Sequence, residues 1–361
     1  MAKKITGISH DLIIHPGETI GDILVERDIS QSELAAITGV SPAYVCNVIS
    51  GKKDISAKFA LALEYALGIP KSFWINLQAN YDAELLEANA RESITDEERA
   101  VRNTLKEVVK HLRNSGKMPA KESVDDSILS LRKALRISNL TNLKSIPPEG
   151  AFRLSSKANV DPYVVGAWIR LCQIDGENSK VRNSFDLSKT DELVEKAKAV
   201  MCGSDDIRLS LKELFSNYGI DFDIVRNFRG APIQGYISRK SDDTYRMVLT
   251  IRGAYADIFW FSLFHELGHI VNGDAGGIGN FIDYNKTPEI EEKADLFAGS
   301  HLIDQKEYEG FIEAGDFRLQ TIKKFAASQH IMPYMVIGRL QKEKILDYDC
   351  FSSEKIRYKW A

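Results

Sequence analysis

Two histidines and a glutamate stand within one five-residue segment, His265-Glu266-Leu267-Gly268-His269, which lies in an apolar stretch. On a helix the two histidines occupy positions i and i+4, so both imidazoles leave the same face one turn apart. That spacing suits two nitrogen ligands of a tetrahedral zinc ion, with Glu266 close enough to take a proton from a zinc-bound water. The alternative is a buried helix whose histidines are hydrogen-bonded core groups.

A zinc site that hydrolyses peptides needs a third protein ligand and one open position. One known pattern places a third histidine six residues after the second, but residues 270–275 contain none. Further along, Pro288 favours the first turn of a second helix, in which Glu291 and Asp295 stand at i and i+4. This pair indicates a carboxylate ligand and an acceptor for the other N–H of a ligand histidine. A solvated acidic helix start is the alternative.

These residues resemble the ImmA/IrrE family of zinc metallopeptidases. The resemblance is carried by Phe259-Trp260-Phe261, the five-residue motif, and Glu291-x-x-Ala294-Asp295-x-Phe297-Ala298. It implies a gluzincin-like fold that binds Zn²⁺ through His265, His269 and Glu291. In that fold Glu266 would be the general base.

The chain departs from the family pattern after the Phe-Ala pair, where family members often have Glu-Leu-Leu and this chain has Gly299-Ser300-His301. His301 has three interpretations: a hydrogen-bond donor to the transition state, a fourth ligand, or a surface histidine. The motif does not identify the group that stabilises the developing oxyanion. Further candidates are Tyr236, Tyr245, Arg252 and Tyr255, although a strand tyrosine is more often a packing residue.

The residues before the motif predict the scaffold that holds it. Residues 207–218 have helical spacing and are followed by Gly219, a common helix stop. Three predicted strands, 220–225, 233–238 and 245–251, come next and are separated by turns. A helix, three strands and the histidine-bearing helix make a small α+β domain, which we place at residues 205–361. An exposed strand edge beside the metal would hold an extended peptide through main-chain hydrogen bonds.

The other end of the chain predicts a bundle of five short helices over residues 1–82. Ser30 is a helix N-cap, Gly39 makes a tight turn, and Ser41 caps the following helix. This is the spacing of a helix-turn-helix, in which a small residue lets two helices cross closely.

Residues 15–82 resemble the Xre-type helix-turn-helix of the HigA antitoxin group. The matching segments are His15-Pro16-Gly17-Glu18, Ser30-Gln31-Ser32-Glu33-Leu34-Ala35 and Phe73-Trp74-x-Asn76-Leu77-Gln78-x-x-Tyr81. The resemblance implies that the recognition helix faces DNA with Ser41, Ala43, Tyr44 and Asn47, and that Lys52 and Lys53 contact phosphates. Residues 1–80 hold seven Lys or Arg against eight Asp or Glu, so a module that binds only protein is the alternative.

Residues 83–204 predict a helical linker or middle domain whose role the sequence does not indicate. Within it, residues 101–144 hold ten Lys or Arg against four Asp or Glu, a pattern typical of a solvated helix face. The whole chain is therefore predicted to be mainly α-helical, with one small α+β domain.

The 361-residue chain has a net charge of −4, and its four cysteines form no Cys-x-x-Cys pair. It shows no signal peptide or long apolar span, which favours a cytoplasmic protein with no membrane partner. We predict a regulator that binds operator DNA as a homodimer and carries a zinc endopeptidase that cleaves a repressor- or antitoxin-like protein, or itself. A toxin is a further candidate partner. The alternative is a HigA-like repressor or antitoxin whose peptidase-fold domain is a non-catalytic sensor or partner-binding module.

Overall fold

The computed structural model describes residues 13–146, 160–177, 179, 181, 183–203, 205–240, 243–251, 253–274, 280–282 and 288–360. The chain divides into two compact units, Met1–Asp96 and Glu97–Ala361. One helix runs through the predicted boundary at residue 82, and the division into three functional segments stays a prediction. Among the described residues, none of the helices combines the length and apolarity needed to span a bilayer.

The described part of the first unit contains five helices, as predicted. They are α1 (Pro16–Glu26), α2 (Gln31–Thr38), α3 (Pro42–Ile49), α4 (Ala57–Leu67) and α5 (Lys71–Glu92). Serine side chains start three of them, because Ser30, Ser41 and Ser56 each accept a hydrogen bond from a backbone N–H of the first turn. Gly39 ends α2 in the left-handed region at φ 69°, which allows the tight turn into α3.

The position of α3 is fixed by a close approach to α1. A Cβ atom on Gly17 would lie 1.9 Å from the carbonyl oxygen of Val48, so only glycine fits at this crossing. The side chains of Val45 and Val48 are fully buried in the core of the unit, together with Ile20 of α1. The surface of α3 that remains exposed is therefore set by this packing.

Helix α5 ties the segment after α3 to the bundle. The buried Gln78 accepts a hydrogen bond from the backbone N–H of Ile55 at 2.9 Å and donates to Asp82 at 2.8 Å. Nearby, the Tyr81 ring packs edge-on against His15, which caps α1 by accepting from the Gly17 N–H. His15, Gln78 and Tyr81, which belong to the segments that resemble the HigA group, thus make contacts that join the helices of the bundle.

The second unit is also mainly helical. Its described α-helices are α6 (Asp96–Thr104), α7 (Lys106–Asn114), α8 (Val124–Leu135), α9 (Pro162–Glu177), α10 (Thr190–Cys202), α11 (Ile207–Ser216), α12 (Ala256–Val271), α13 (Pro288–Leu302), α14 (Gln305–Ala314), α15 (Leu319–Ser328) and α16 (Pro333–Lys342). Short 3₁₀ helices lie at Leu140–Ser145, Leu187–Lys189 and Ser352–Glu354.

A small sheet forms the centre of the second unit. It contains β1 (Ile220–Val225), β2 (Gly235–Arg239), β3 (Tyr245–Thr250) and the three-residue β4 (Asn280–Ile282), in the order β1-β3-β2-β4. The three predicted strands are present, and β4 adds a further strand at the edge beyond β2. β3 pairs parallel with β1 and antiparallel with β2, so it is central, and all six of its residues are buried.

Helix α12 packs beside the sheet in the largest hydrophobic core. Its start is held by the C-terminal segment, because the Ala256 N–H donates to the carbonyl of Ile356 at 3.0 Å and the Trp260 indole N–H donates to the Tyr358 hydroxyl at 2.8 Å. The helix is therefore fixed along its length by the core and at its first turn by the chain terminus.

The close crossing of α1 and α3 generates a stability prediction. Gly17→Ala places a Cβ against the Val48 carbonyl, so we expect the first unit to lose about 1–3 kcal/mol of unfolding free energy. Hydrogen–deuterium exchange resolved by mass spectrometry on the full chain would detect this as faster exchange in α1 and α3.

Gly21→Ala is the matched control on the same helix. A Cβ at that position would have its nearest neighbour at 3.5 Å, an ordinary van der Waals contact. We expect equal or slower exchange there, because alanine is about 1 kcal/mol better than glycine in a helix. Equal exchange in both variants would show that the crossing does not depend on Gly17.

Candidate functional site

The two motif histidines lie on one face of α12, as their spacing predicts. His269 is fully buried and His265 is 9% exposed. Their Nε2 atoms are 3.0 Å apart, and their rings meet nearly at right angles. Both imidazoles thus direct the same nitrogen toward one point.

Helix α13 brings a carboxylate to that point. Oε2 of Glu291 lies 3.4 Å from Nε2 of His265, and its Oε1 lies 3.6 Å from Nε2 of His269. The ligand atoms of this group all lie within 4.8 Å of one another. A tetrahedral zinc ion with bonds of about 2.05 Å holds its donor atoms about 3.3 Å apart. The 3.0 and 3.4 Å separations are close to this value, while the 3.6 Å separation involves the second oxygen of Glu291.

The other nitrogen of each histidine faces a carboxylate. Nδ1 of His265 lies 2.7 Å from Oδ1 of Asp295, and Nδ1 of His269 lies 2.8 Å from Oδ2 of Asp274. An ionised carboxylate only accepts hydrogen bonds, so each ring carries its proton on Nδ1 and presents the lone pair of Nε2. The two Nε2 atoms lie 3.0 Å apart, and a carboxylate oxygen of Glu291 lies 3.4 Å from Nε2 of His265. This donor set fits a zinc ion.

Glu266 lies beside these donors and is 2% exposed. Its carboxyl group packs against the first residue of β2, where a Cβ on Gly235 would lie 2.0 Å from Oε1. The position of the predicted general base is therefore set by the absence of a side chain on the neighbouring strand.

Two residues of this site were missed by the sequence analysis. Asp274 follows a turn in which Gly273 takes φ 75°, and its own N–H donates to the carbonyl of His269 at 3.0 Å. A carboxylate five residues after the second histidine is a signal in the sequence that could have identified Asp274. Gly235 carried no signal, because its contact with Glu266 joins distant parts of the chain.

The structure does not bring the other predicted donors to the metal ligands. His301 stands ten residues after Glu291 on α13, about 15 Å along the helix, and its Nδ1 lies 2.8 Å from the Phe297 carbonyl. It is a half-buried histidine of the last turn, and its role as a ligand, a transition-state donor or a surface histidine stays a prediction. Tyr255 likewise precedes His265 by ten residues, about 15 Å along α12.

The strand tyrosines also lie away from the site. Tyr245 lies four positions before Leu249, the residue that pairs with Gly235, which is about 13 Å along β3. Its ring packs edge-on against Phe185. Tyr236 follows Gly235 directly and therefore faces the opposite side of the sheet, where it contacts Trp168. Arg252 lies outside the described residues.

The exposed face of α3 forms a second candidate site. Ala43 and Asn47 are exposed on the helix, and Lys52 and Lys53 are exposed directly after it. Ala43 and Asn47 stand at i and i+4 on α3 and therefore share one face of the helix. The predicted contact set is therefore accessible at these four positions.

Ser41 and Tyr44 have structural roles in addition. Ser41 is exposed, and its hydroxyl accepts a hydrogen bond from the Tyr44 N–H at 3.2 Å. The Tyr44 ring packs edge-on against Phe59 with centroids 5.1 Å apart, and the Lys53 ammonium lies 4.7 Å from the centre of the tyrosine ring. Tyr44 therefore orders the start of α3 and holds Lys53 close to it.

Comparison with known proteins agrees with this geometry. A family model described as helix-turn-helix matches residues 20–74. Residues 20–74 form a helix-turn-helix domain. The matched segment spans the end of α1 through the start of α5 and ends far before His265, so the chemistry of the second unit rests on its own geometry.

Individual relatives match a similar share of the chain. Virulence-associated protein A′ of Dichelobacter nodosus is 39% identical over 69 residues, which are 19% of this chain and 60% of that protein. An antidote protein of a plasmid maintenance system from Nostoc punctiforme is 39% identical over 22% of this chain and 87% of its own, with a TM-score of 0.22. The antitoxin HigA of Pseudomonas aeruginosa, solved with the higBA promoter, is 34% identical over 23% of this chain and 96% of its own, with a TM-score of 0.21.

The carboxylates behind the histidines generate a metal-binding prediction. Asp274→Asn replaces an ionised acceptor of the His269 Nδ1 proton with a neutral one. We expect zinc affinity to fall about 10–100-fold, the usual effect of losing such a partner. Competition with a chromophoric chelator measures the change. Glu292→Gln, an exposed neighbour of Glu291, is the control and should leave affinity unchanged. Equal affinity in Asp274→Asn would contradict the assigned role.

Proposed function

We propose that the chain is a DNA-binding regulator whose second unit is a zinc-dependent endopeptidase of the ImmA/IrrE type. Its substrate would be a repressor- or antitoxin-like protein, or the chain itself. The observation that carries the proposal is the convergence of two Nε2 atoms and the Glu291 carboxylate, with separations of 3.0, 3.4 and 3.6 Å, beside the buried Glu266.

The metal ligands and Glu266 have separate roles in the proposed peptide hydrolysis. His265, His269 and Glu291 would hold a zinc ion, which would supply a Lewis acid for the scissile carbonyl and for a water. Glu266 takes a proton from that water as its oxygen attacks the carbonyl carbon. The same carboxyl group then returns the proton to the amine nitrogen as the C–N bond breaks.

The surrounding residues hold these groups in position. Asp295 and Asp274 keep the Nδ1 protons of the two histidines, which fixes both ring orientations and both tautomers. Gly235 leaves the space that the Glu266 carboxyl group fills. The general base and the two histidines are thus held on α12 against one strand, and α13 supplies Glu291.

The sheet supports binding of an extended peptide. β4 pairs with β2 over Tyr236–Ser238 and ends the described sheet, so its outer backbone is placed to pair with an added strand. Main-chain pairing of this kind binds a peptide with little dependence on its side chains. This suits an endopeptidase that cleaves one partner protein after docking.

The first unit would bind operator DNA, with two copies on two half-sites. The exposed face of α3 supplies Ala43 and Asn47 toward base edges, while Lys52 and Lys53 are placed for the phosphate backbone. Since residues 1–80 carry no excess of positive charge, phosphate contacts would come from these few lysines and not from a general basic field.

Glu266→Gln tests the enzymatic part. We expect cleavage to fall by about 10²–10⁴-fold, because glutamine cannot accept the proton, while zinc content stays unchanged. N-terminal proteomics of cells that express the wild-type chain or the variant would reveal new protein N-termini that depend on Glu266. Elemental analysis of the purified chains measures the zinc.

Glu292→Gln provides the control for the same experiment, and its cleavage products should match those of the wild type. New N-termini that persist in Glu266→Gln would contradict the mechanism. A wild-type chain that generates none would favour the non-catalytic alternative.

Asn47→Ala and Lys52→Ala test the DNA-binding part. For DNA fragments selected by the full chain, Asn47→Ala should cost about 1–3 kcal/mol and relax base preference. Lys52→Ala should weaken all sequences alike and reduce the log–log salt slope by about 0.9. Fluorescence anisotropy at several salt concentrations measures both. Lys71→Ala, at the start of α5, is the control, and no loss in either test variant would indicate a protein-docking module.

A further inference from the structure

A cavity of about 590 Å³ lies within the second unit, away from the metal ligands. Its walls come from α7, α9, the end of β1 and the residues that follow that strand. A volume of this size falls in the range of sites for small molecules, about 300–1,000 Å³. Neither the helix-turn-helix nor the proposed peptidase chemistry uses this space.

The inner wall of the cavity is apolar and aromatic. Trp168 and Phe228 are buried there together with Leu171. The Trp168 indole N–H already donates to the carbonyl of Arg226 at 3.1 Å, so its ring remains as a packing surface. The His111 ring meets Phe228 edge-on with centroids 5.6 Å apart. Such a wall suits a planar aromatic ring.

Burial lowers the pKa of His111, and the positive charge of Lys117 lowers it further. The imidazole is therefore neutral at pH 7 and able to donate or accept one hydrogen bond.

The acidic groups of the cavity are already paired. Asp223 accepts from Arg208 at 2.9 Å and lies 3.6 Å from the Lys212 ammonium. Asp175 forms an ion pair with Lys117 at 2.7 Å. Glu107, the third carboxylate in the wall, accepts the backbone N–H of Arg229 at 2.7 Å. Asp223 and Asp175 are therefore neutralised, whereas Glu107 keeps a single negative charge, which the two cations described next exceed by one.

Two cations that line the cavity lack an ion-pair partner among the described residues. Within the described part of the chain, neither Lys110 nor Arg226 has a carboxylate within ion-pair distance, and both are exposed. The Arg226 guanidinium lies 5.7 Å from the centre of the Trp360 ring, which holds it beside the opening. The cavity thus combines an aromatic interior with a positive rim.

We propose that this cavity binds a small aromatic anion, with its ring against Trp168 and Phe228 and its carboxylate or phosphate between Lys110 and Arg226. The charge of the rim excludes aromatic cations, and the volume excludes large cofactors. This assignment stands whether or not the second unit cleaves peptides.

The test uses four probes on the full-length chain: 1-naphthoate, its neutral counterpart 1-naphthalenemethanol, adenosine monophosphate and adenosine. Isothermal titration calorimetry gives each affinity. We expect at least one anion to bind about tenfold or more tightly than its neutral counterpart. Preference for naphthoate would identify the class as aromatic carboxylates, and preference for the nucleotide would identify it as aromatic phosphates.

A pair of charge-matched double variants locates the site. Lys110→Gln with Arg226→Gln should abolish the preference for the anion, and because both residues are exposed the fold should persist. Lys106→Gln with Arg229→Gln removes the same charge from neighbouring positions outside the cavity and should bind as the wild type does. Equal binding of anion and neutral probe, unchanged binding in the first variant, or no binding at about 1 mM of any probe would overturn the proposal.

Discussion

The architecture around the candidate site depends on one close contact. The Nε2 atoms of His265 and His269 lie 3.0 Å apart on a buried face of α12. His265 and His269 each give the Nδ1 proton to a carboxylate, so both Nε2 atoms are acceptors. In a low-dielectric interior two such atoms repel, and Glu291 adds negative charge at the same point. A divalent cation removes this repulsion by binding all three. This arrangement of donor atoms is the basis of the zinc site proposed above.

Such a site needs a helix that cannot rotate or slide. The sheet restrains α12 at Glu266, whose carboxyl group fills the space above Gly235. Gly235 pairs with Leu249, and Leu249 pairs with Ile224, so one row across three strands backs the general base. At the first turn of α12 the C-terminal segment adds the hydrogen bond from Trp260 to a tyrosine hydroxyl. The precision of the donor atoms thus depends on contacts far apart in the sequence.

That separation explains what could be predicted. The i, i+4 pairing of the histidines, the serine caps of α2 and α3, and the three longer strands depend on local spacing, and all three are confirmed. The meeting of Glu291 with the histidines joins two helices, so it was predicted from the family resemblance and not from local spacing. Asp274, Gly235 and β4 depend on how a turn and a strand pack against α12, which no local pattern encodes. The aromatic cavity is likewise formed by segments more than 50 residues apart.

Burying the Glu266 carboxylate costs folding free energy, and this cost favours the enzyme over the non-catalytic sensor. A buried carboxylate loses hydration that its hydrogen bonds replace only in part, and Glu266 is 2% exposed. A glycine in a strand also weakens that strand, yet Gly235 is needed to make room for this carboxylate. A module that only bound a ligand or a partner would be more stable with a neutral side chain at 266 and a larger residue at 235. Both costs are explained if the carboxylate must exchange a proton with a water held beside the metal donors, which is the role proposed for it.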